Sequence, residues 1–438
     1  MSNHSESKRR LAIANVLVAA ISITMLLTVF LGPKTLHVLG NGTKKHFSAS
    51  ILPPIKTVFL VVMENKNWSS IFGNTSAPYI NNTLLPMASY ATQYYDPPNN
   101  HPSLPNYLWL EAGTNFGITK DGMPSQYHQN TTNHFVTLLQ NANYSWKAYV
   151  EGITGTVCPL TTKGLYTPRH NAPLYFDDVT NINNPKSMNC IAHERPYQEL
   201  AGDLQNNTVS NFNYIEPNLC DDMHGAKGCQ TSTNSEVQHG DTWLSQSVPQ
   251  ILNSQAYKTG GALFITWDEG QSVNQSKGDG PLGMIVLSPF AKGLGYSNSI
   301  HYTHSSTLLT LEEIFGLAPL LGDAVNATDL SDLFVAPSYS VSGTVMACSS
   351  GSPPTCNSPA PFTDATLQLL NSSGATVTTT TSDPSTGNYS FAGLVPGNYT
   401  VNISGTFNNV SYSSTDPLDV TGNATGVILD AYPAPPST

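Results

Sequence analysis

The sequence predicts an α/β protein, with a mainly parallel sheet sandwiched by helices and followed by a C-terminal all-β sandwich. Two continuous apolar runs, IKTVFLVVMEN (55–65) and ALFITWDE (262–269), each stop abruptly on acidic or amide side chains. Apolar runs of this length read as parallel strands buried on both faces. Strand-like and amphipathic helical patterns alternate between and after them, the mark of a sheet with helices on both faces. From about residue 337 the chain changes to short Thr/Val/Tyr-rich runs broken by Gly, Pro and Asn, which predicts antiparallel strands.

Taken in order, residues 1–10 form a tail ending in Lys8, Arg9 and Arg10, and residues 11–32 form one uncharged apolar segment. That length suits a bilayer-spanning signal anchor better than a cleaved signal peptide. The basic cluster favours a cytoplasmic N-terminus and an exported body, although Lys34, Lys44 and Lys45 lie on the far side. The expected location is the cell membrane with the rest of the chain outside, or secretion if the segment is cleaved. Residues 33–54 read as a linker and 55–336 as the α/β domain. Its strands are expected at 56–63, 146–150, 211–215, 262–267 and 284–287. Helices are expected at 243–252, capped by Asp241 or Thr242, and at 307–315, closed by Gly316. Residues 337–438 form the β-sandwich module. It has no histidine and resembles the prealbumin-like repeats of surface proteins, so a spacer or adhesion role is expected for it.

Composition excludes some function classes. The 438 residues carry a formal net charge of −11, which argues against a nucleic-acid phosphate binder. Charged residues make up only 11%, so solubility rests on neutral polar groups and on sugar if the chain is glycosylated. Sequons at Asn67, Asn74, Asn81, Asn130, Asn143, Asn206, Asn274, Asn326 and through the C-terminal region to Asn423 are consistent with an extracytoplasmic surface. The six cysteines fall into local pairs, Cys158/Cys190, Cys220/Cys229 and Cys348/Cys356, without zinc-site spacing. Disulfides are therefore expected, with fifteen pairings formally open.

Ligands in open α/β sheets bind at the carboxyl ends of the strands, so Glu64, Asn65, Asp268 and Glu269 should meet there. Oxygen donors gathered in this way suit one divalent metal ion of undetermined identity. A carboxylate ending a buried strand needs a cation or a partner to offset its desolvation. Ser103, in His101-Pro-Ser-Leu-Pro-Asn-Tyr107, has an ordinary explanation as a helix cap. A hydroxyl at a helix N-terminus is also well placed to attack a phosphate held there. His170, His224 and His304 lie in polar, turn-rich surroundings where a lone histidine is usually solvated. Asp221, Asp222 and Asp241 are ordinary turn or cap residues when judged singly.

Motifs of higher information content occur in order: V-x-M-E-N-K, H-P-S-L-P-N-Y, R-H-N-x-P, D-D-M-H-G, G-D-x-W-L, W-D-E-G, G-P-L-G-x-I-V-L-S-P-F and Y-x-H-S-S-x-L-x-T-L-E-E-I-F-G-L. From about 55 to 334 the chain resembles the phosphoesterase family of bacterial acid phosphatases and phosphocholine-type phospholipases C. That family belongs to the alkaline-phosphatase-like superfamily. The resemblance implies a phosphoric-ester hydrolase. Glu64, Asn65, Ser103, Asp268 and Glu269 would be its metal ligands and Ser103 its nucleophile. His170 and His224 would act, protonated, on phosphoryl oxygens or the leaving group, and Asn106 and His304 would contact substrate. Many relatives carry aspartate at the position of Glu269. A phosphomonoesterase is the first expectation. Phospholipase C activity on lipid head groups and a binding or adhesion protein with an inactive hydrolase domain are the alternatives.

Overall fold

A computed structural model describes residues 52–229, 233–271 and 279–435. The predicted tail and anchor lie outside the described residues, as does nearly all of the linker. Among the described residues no helix is long and apolar enough to cross a membrane.

Eight strands form the main sheet: β1 (Thr57–Met63), β2 (Ser89–Ala91), β3 (Trp146–Val150), β4 (Glu194–Pro196), β5 (Phe212–Glu216), β6 (Gly261–Trp267), β7 (Met284–Leu287) and β8 (Tyr296–Asn298). Their order is β4-β3-β5-β1-β6-β7-β2-β8. β4, β3, β5, β1 and β6 are mutually parallel. β7 runs against both β6 and β2, so the sheet is mixed at this side. The five strands expected from the sequence match to within one residue at each end. β2, β4 and β8, of three residues each, are too short to leave a periodic signal.

β1 and β6 occupy the middle because their side chains are apolar on both faces, and all but Thr57 of their residues are buried. Their register pairs Met63 with Trp267, so Glu64 and Asp268 emerge side by side at the carboxyl edge. Asp268 N–H donates to Met63 O at 2.9 Å and Glu64 N–H to Asp222 O at 2.7 Å, tying the loop after β5 to the same edge.

Helices α1 (Ser103–Ala112), α2 (Thr233–Asn253) and α3 (His304–Phe315) flank the site. Two boundaries depart from expectation. α2 starts ten residues before the predicted start at Trp243, and Asp241 caps a different element. Its carboxylate accepts from Tyr79 N–H at 3.0 Å and Ile80 N–H at 2.8 Å, at the start of the helical segment Ile80–Leu84. α3 begins at His304, three residues early, and ends on Gly316 at φ +61° as expected.

The last hundred residues form an all-β module, as predicted, in one curled sheet. Its order is Ala360–Pro361, Tyr339–Ala347, Ala424–Pro433, Val410–Val420, Gly397–Phe407, Thr366–Leu370 and Thr376–Thr381, with Asn388–Leu394 also paired to Tyr339–Ala347. Tyr339–Ala347 runs parallel to Ala424–Pro433, an exception to the antiparallel pattern. Val410–Val420 pairs with Ala424–Pro433 at Tyr412↔Pro433 and Ser413↔Tyr432. Buried apolar residues fall in two clusters, one from Leu52 to Phe334 and one from Val341 to Ala431. The three cysteine pairs are bonded as the local spacing suggested.

Candidate active site

The site is built on the carboxyl edge of β1 and β6. β1 ends on Glu64, which is fully buried. Asn65 follows in the left-handed region at φ +48°, which asparagine tolerates better than most side chains. This turn aims Asn65 N–H at Asp268 Oδ1, 3.0 Å away. The neighbouring Lys66, also buried, pairs with Glu236 at 3.1 Å and donates to Asn65 O at 3.2 Å.

α1 brings Ser103 to Glu64. The helix N-cap is Pro102, and Ser103 is the first helical residue, with no capping bond from its side chain. Its hydroxyl instead donates to Glu64 Oε2 at 3.1 Å, so the ordinary capping explanation does not hold. The first turn is served by Asp121, whose Oδ1 accepts from Leu104 N–H at 3.1 Å. One turn on, Tyr107 O–H donates to Glu64 Oε1 at 2.5 Å.

His170, also buried, completes one wall. Its ring stacks on Tyr107 with centroids 5.1 Å apart. Nε2 lies 3.2 Å from Glu64 Oε1 and Nδ1 3.4 Å from Asp222 Oδ2, but Nε2 and Asp222 Oδ2 have no hydrogen-bond partner. These are close approaches and not aligned hydrogen bonds. Burial, then the charge of Arg169, pushes the imidazole well below its usual value. His224 sits nearby, with Nε2 accepting from Arg169 Nη2 at 3.2 Å and Nδ1–H donating to Gly225 O at 2.6 Å. Those contacts describe a neutral ring, and burial lowers its pKa too. Burial thus works against the protonated rings expected from the sequence, and the Arg169 guanidinium places a positive charge beside them.

The carboxylates are under the opposite pressure. Burial, then the charge of Asp222, raises Glu64 well above the usual carboxylate range. Asp268 is raised by burial and then by Glu64, and Asp222 chiefly by burial. Asn65 Oδ1, Asp222 Oδ2 and Asp268 Oδ2 are buried without hydrogen-bond partners among the described residues. Acidic groups crowded together with orphaned oxygens are the donor set that a divalent cation satisfies, so the residues present fit a metal. Glu64, Asn65, Ser103 and Asp268 would hold it, with Asp222 adjacent.

Three other expected residues are engaged by neighbouring side chains and backbone groups. Glu269 Oε2 accepts from Asn106 Nδ2 at 3.0 Å and lies 2.8 Å from His101 Nδ1. Asn106 is fully engaged, since it also donates to Asn100 O at 2.6 Å and accepts from Asn100 Nδ2 at 2.8 Å. His304 is buried in α3, with Nε2 2.6 Å from Asp268 O and Nδ1 3.0 Å from Tyr94 Oη. In this position it holds the Asp268 backbone. Sequence reasoning passed over Asp222, Tyr107, Arg169 and His101 as functional residues. All four lie inside recognised motifs, so the signal was present beside the residues that were chosen.

A phosphoesterase family model matches residues 91–318. A phosphatidylinositol-3-phosphatase of Mycobacterium tuberculosis is 30% identical over 290 residues, covering 66% of this chain and 85% of that protein. The chain belongs to the phosphoesterase family. It is a hydrolase acting on phosphoric esters, as family membership implies. A probable acid phosphatase of Kluyveromyces lactis is 23% identical and covers 66% of this phosphoesterase and 67% of its own length. Among solved structures, a Vibrio parahaemolyticus protein of the alkaline phosphatase superfamily aligns at TM-score 0.41 and 9% identity, covering 84% of this chain and 83% of that one.

Proposed function

We propose that this chain is an exported, metal-dependent phosphomonoesterase that uses Ser103 as nucleophile and passes through a phosphoserine. The observation that carries the reading is Ser103 Oγ, 3.1 Å from Glu64 at the head of α1, among carboxylates whose orphaned oxygens suit a cation. When bound, a divalent ion would supply positive charge that eases deprotonation of a hydroxyl and neutralises phosphoryl oxygens. Ser103 Oγ attacks phosphorus, forming the new P–O bond while the bond to the alcohol breaks and that alcohol leaves with a proton. Arg169 would face developing negative charge, and His170 and His224 would orient phosphoryl oxygens and carry the proton to the leaving alcohol. Water then cleaves the phosphoserine and restores the hydroxyl. The phosphatase names of both relatives support a monoester as substrate. Export, with anchoring through 11–32, is proposed from the sequence and is in keeping with the three disulfides.

The test is turnover of aryl phosphate and of phosphatidylcholine by purified protein with added divalent metals, alongside Ser103→Ala. Phosphate release that falls about a thousandfold or more in a folded Ser103→Ala variant supports the reading. Phosphocholine release in its place would favour the phospholipase alternative. The absence of any phosphoester turnover would favour the binding-protein alternative.

A further inference from the structure

Beside the nucleophile helix lies a second group of ligand-type side chains that the proposed reaction does not use. Asp96, His101 and Asp279 each present a ligand atom, and the three atoms lie within 4.8 Å of one another. His101 Nε2 is 2.8 Å from Asp279 Oδ2 and 3.9 Å from Asp96 Oδ2. The group is sheltered, with side-chain exposures of 7% for Asp96, 14% for His101 and 1% for Asp279.

We propose that Asp96, His101 and Asp279 bind a divalent cation, separate from the one assigned to the Glu64 and Asp268 carboxylates. Two observations point to a ligand over a self-contained ion pair. Asp279 Oδ1 is buried and has no hydrogen-bond partner among the described residues, although its Oδ2 already accepts from Gly270 N–H at 2.6 Å. His101 Nδ1 is engaged by Glu269 Oε2 at 2.8 Å, and Glu269 is held in turn by Asn106. A carboxylate on one ring nitrogen fixes the tautomer that leaves the other nitrogen as a lone-pair donor, the usual support of a metal-bound histidine. Nε2 then faces the two aspartates.

The competing arrangement is an imidazolium bridging Glu269 and Asp279. It offers one N–H at Nε2, which one carboxylate oxygen can take. That leaves Asp279 Oδ1 without a donor and Asp96 beyond hydrogen-bond range. A cation satisfies both. Asn67 Oδ1 is a further buried, unpartnered oxygen at this place. A Cβ on Gly270 would fall 2.1 Å from it and 2.7 Å from Asp279 Cγ, so both side chains crowd that glycine. Two or three oxygens and one imidazole nitrogen suit a borderline or hard ion such as Mn²⁺ or Zn²⁺. Bound there, it would fix His101, two residues before Ser103, to Asp279 on the approach to β7.

The site is tested by titrating Mn²⁺ into the chelated full chain, with free Mn²⁺ followed by electron paramagnetic resonance. The variants are Asp279→Asn, Asp96→Asn and Asp268→Asn, and the two aspartates of the new site cover for each other if one variant fails to fold. Two ions per wild-type chain, reduced to one in Asp279→Asn or Asp96→Asn and also to one in Asp268→Asn, supports the proposal. A single wild-type ion that survives Asp279→Asn and is lost in Asp268→Asn overturns it and leaves the phosphoesterase reading intact. A single ion lost in Asp279→Asn and kept in Asp268→Asn supports this site and overturns the ligand set given for the reaction. A chain that binds no Mn²⁺ or Zn²⁺ overturns both.

Discussion

Ser103, Glu64 and Asp268 owe their chemistry to where their chains end and to how little water reaches them. Asp268 is raised because it is buried beside Glu64, so removing its charge removes a reason to hold a cation. Asp268→Asn is expected to lower metal content after dialysis. His170→Ala and His224→Ala should keep the metal and lower kcat, because the proposed targets of these rings are the phosphoryl group and leaving alcohol. Elemental analysis of the folded variants checks this, and a His224→Ala protein without metal would redraw the site around the histidines. The same carboxyls predict how stability depends on pH. Glu64, Asp222 and Asp268 have folded-state pKa values above their ordinary ones. Such groups bind protons more tightly when folded, so their contribution is full at low pH and is lost as pH rises above the usual carboxylate range near 4. The chelated protein should therefore melt at lower temperature as pH rises, and added divalent metal should restore more at the upper end. Glu194 and Glu312, each pushed up to about 8 chiefly by burial, give a parallel fall that no metal relieves. The difference between melts with and without metal isolates the site. A gap that does not widen with pH would count against it.

α2 shows how an element is extended by contacts that its sequence does not advertise. Its first ten residues are mostly polar and include Gly240, which weakens a helical pattern. The glycine is required by packing. A Cβ there would meet Met223 Cγ at 2.3 Å and Met63 Cε at 2.8 Å, so the helix can pass over the end of β1 only without a side chain at that point. Asp241, the next residue, then reaches across to cap the segment at Tyr79 and Ile80. Asp241→Ala should cost about 1–2 kcal/mol, because two backbone N–H groups lose an acceptor. Thermal melting should show a fall of a few degrees with kcat of the folded fraction nearly unchanged. An unchanged melting temperature would mean that solvent serves those donors equally well.

At the scale of the whole molecule, the separate buried clusters below Phe334 and above Val341 carry the next expectation. Every residue placed at the proposed active site lies before Ala336. The domain boundaries at 55–336 and 337–438 are therefore proposed as functional boundaries. A chain ending near Ala336 should retain most of its kcat on a small aryl phosphate. A loss above about tenfold in a folded, monodisperse truncated protein would show that the β module completes the site.

The sequence by itself determined the apolar strands β1 and β6, because burial on both faces leaves an unbroken apolar run that needs no partner to be seen. It also determined that acidic groups end them, and through the ordered motifs it determined the family. The all-β character of the last hundred residues was equally plain from alternation and turn residues. Only the tertiary structure decided which neighbours those groups meet. Asp222 looked like a turn residue but lies buried beside His170, because Glu64 N–H anchors the loop after β5. Ser103 looked like a cap, yet its hydroxyl faces Glu64 across 39 residues of chain. The enclosure of the histidines was decided there as well. A turn-rich context suggests solvent, whereas His170 and His304 are almost wholly enclosed. Burial is a property of what folds over a residue, and nothing in the residues beside it along the chain records that.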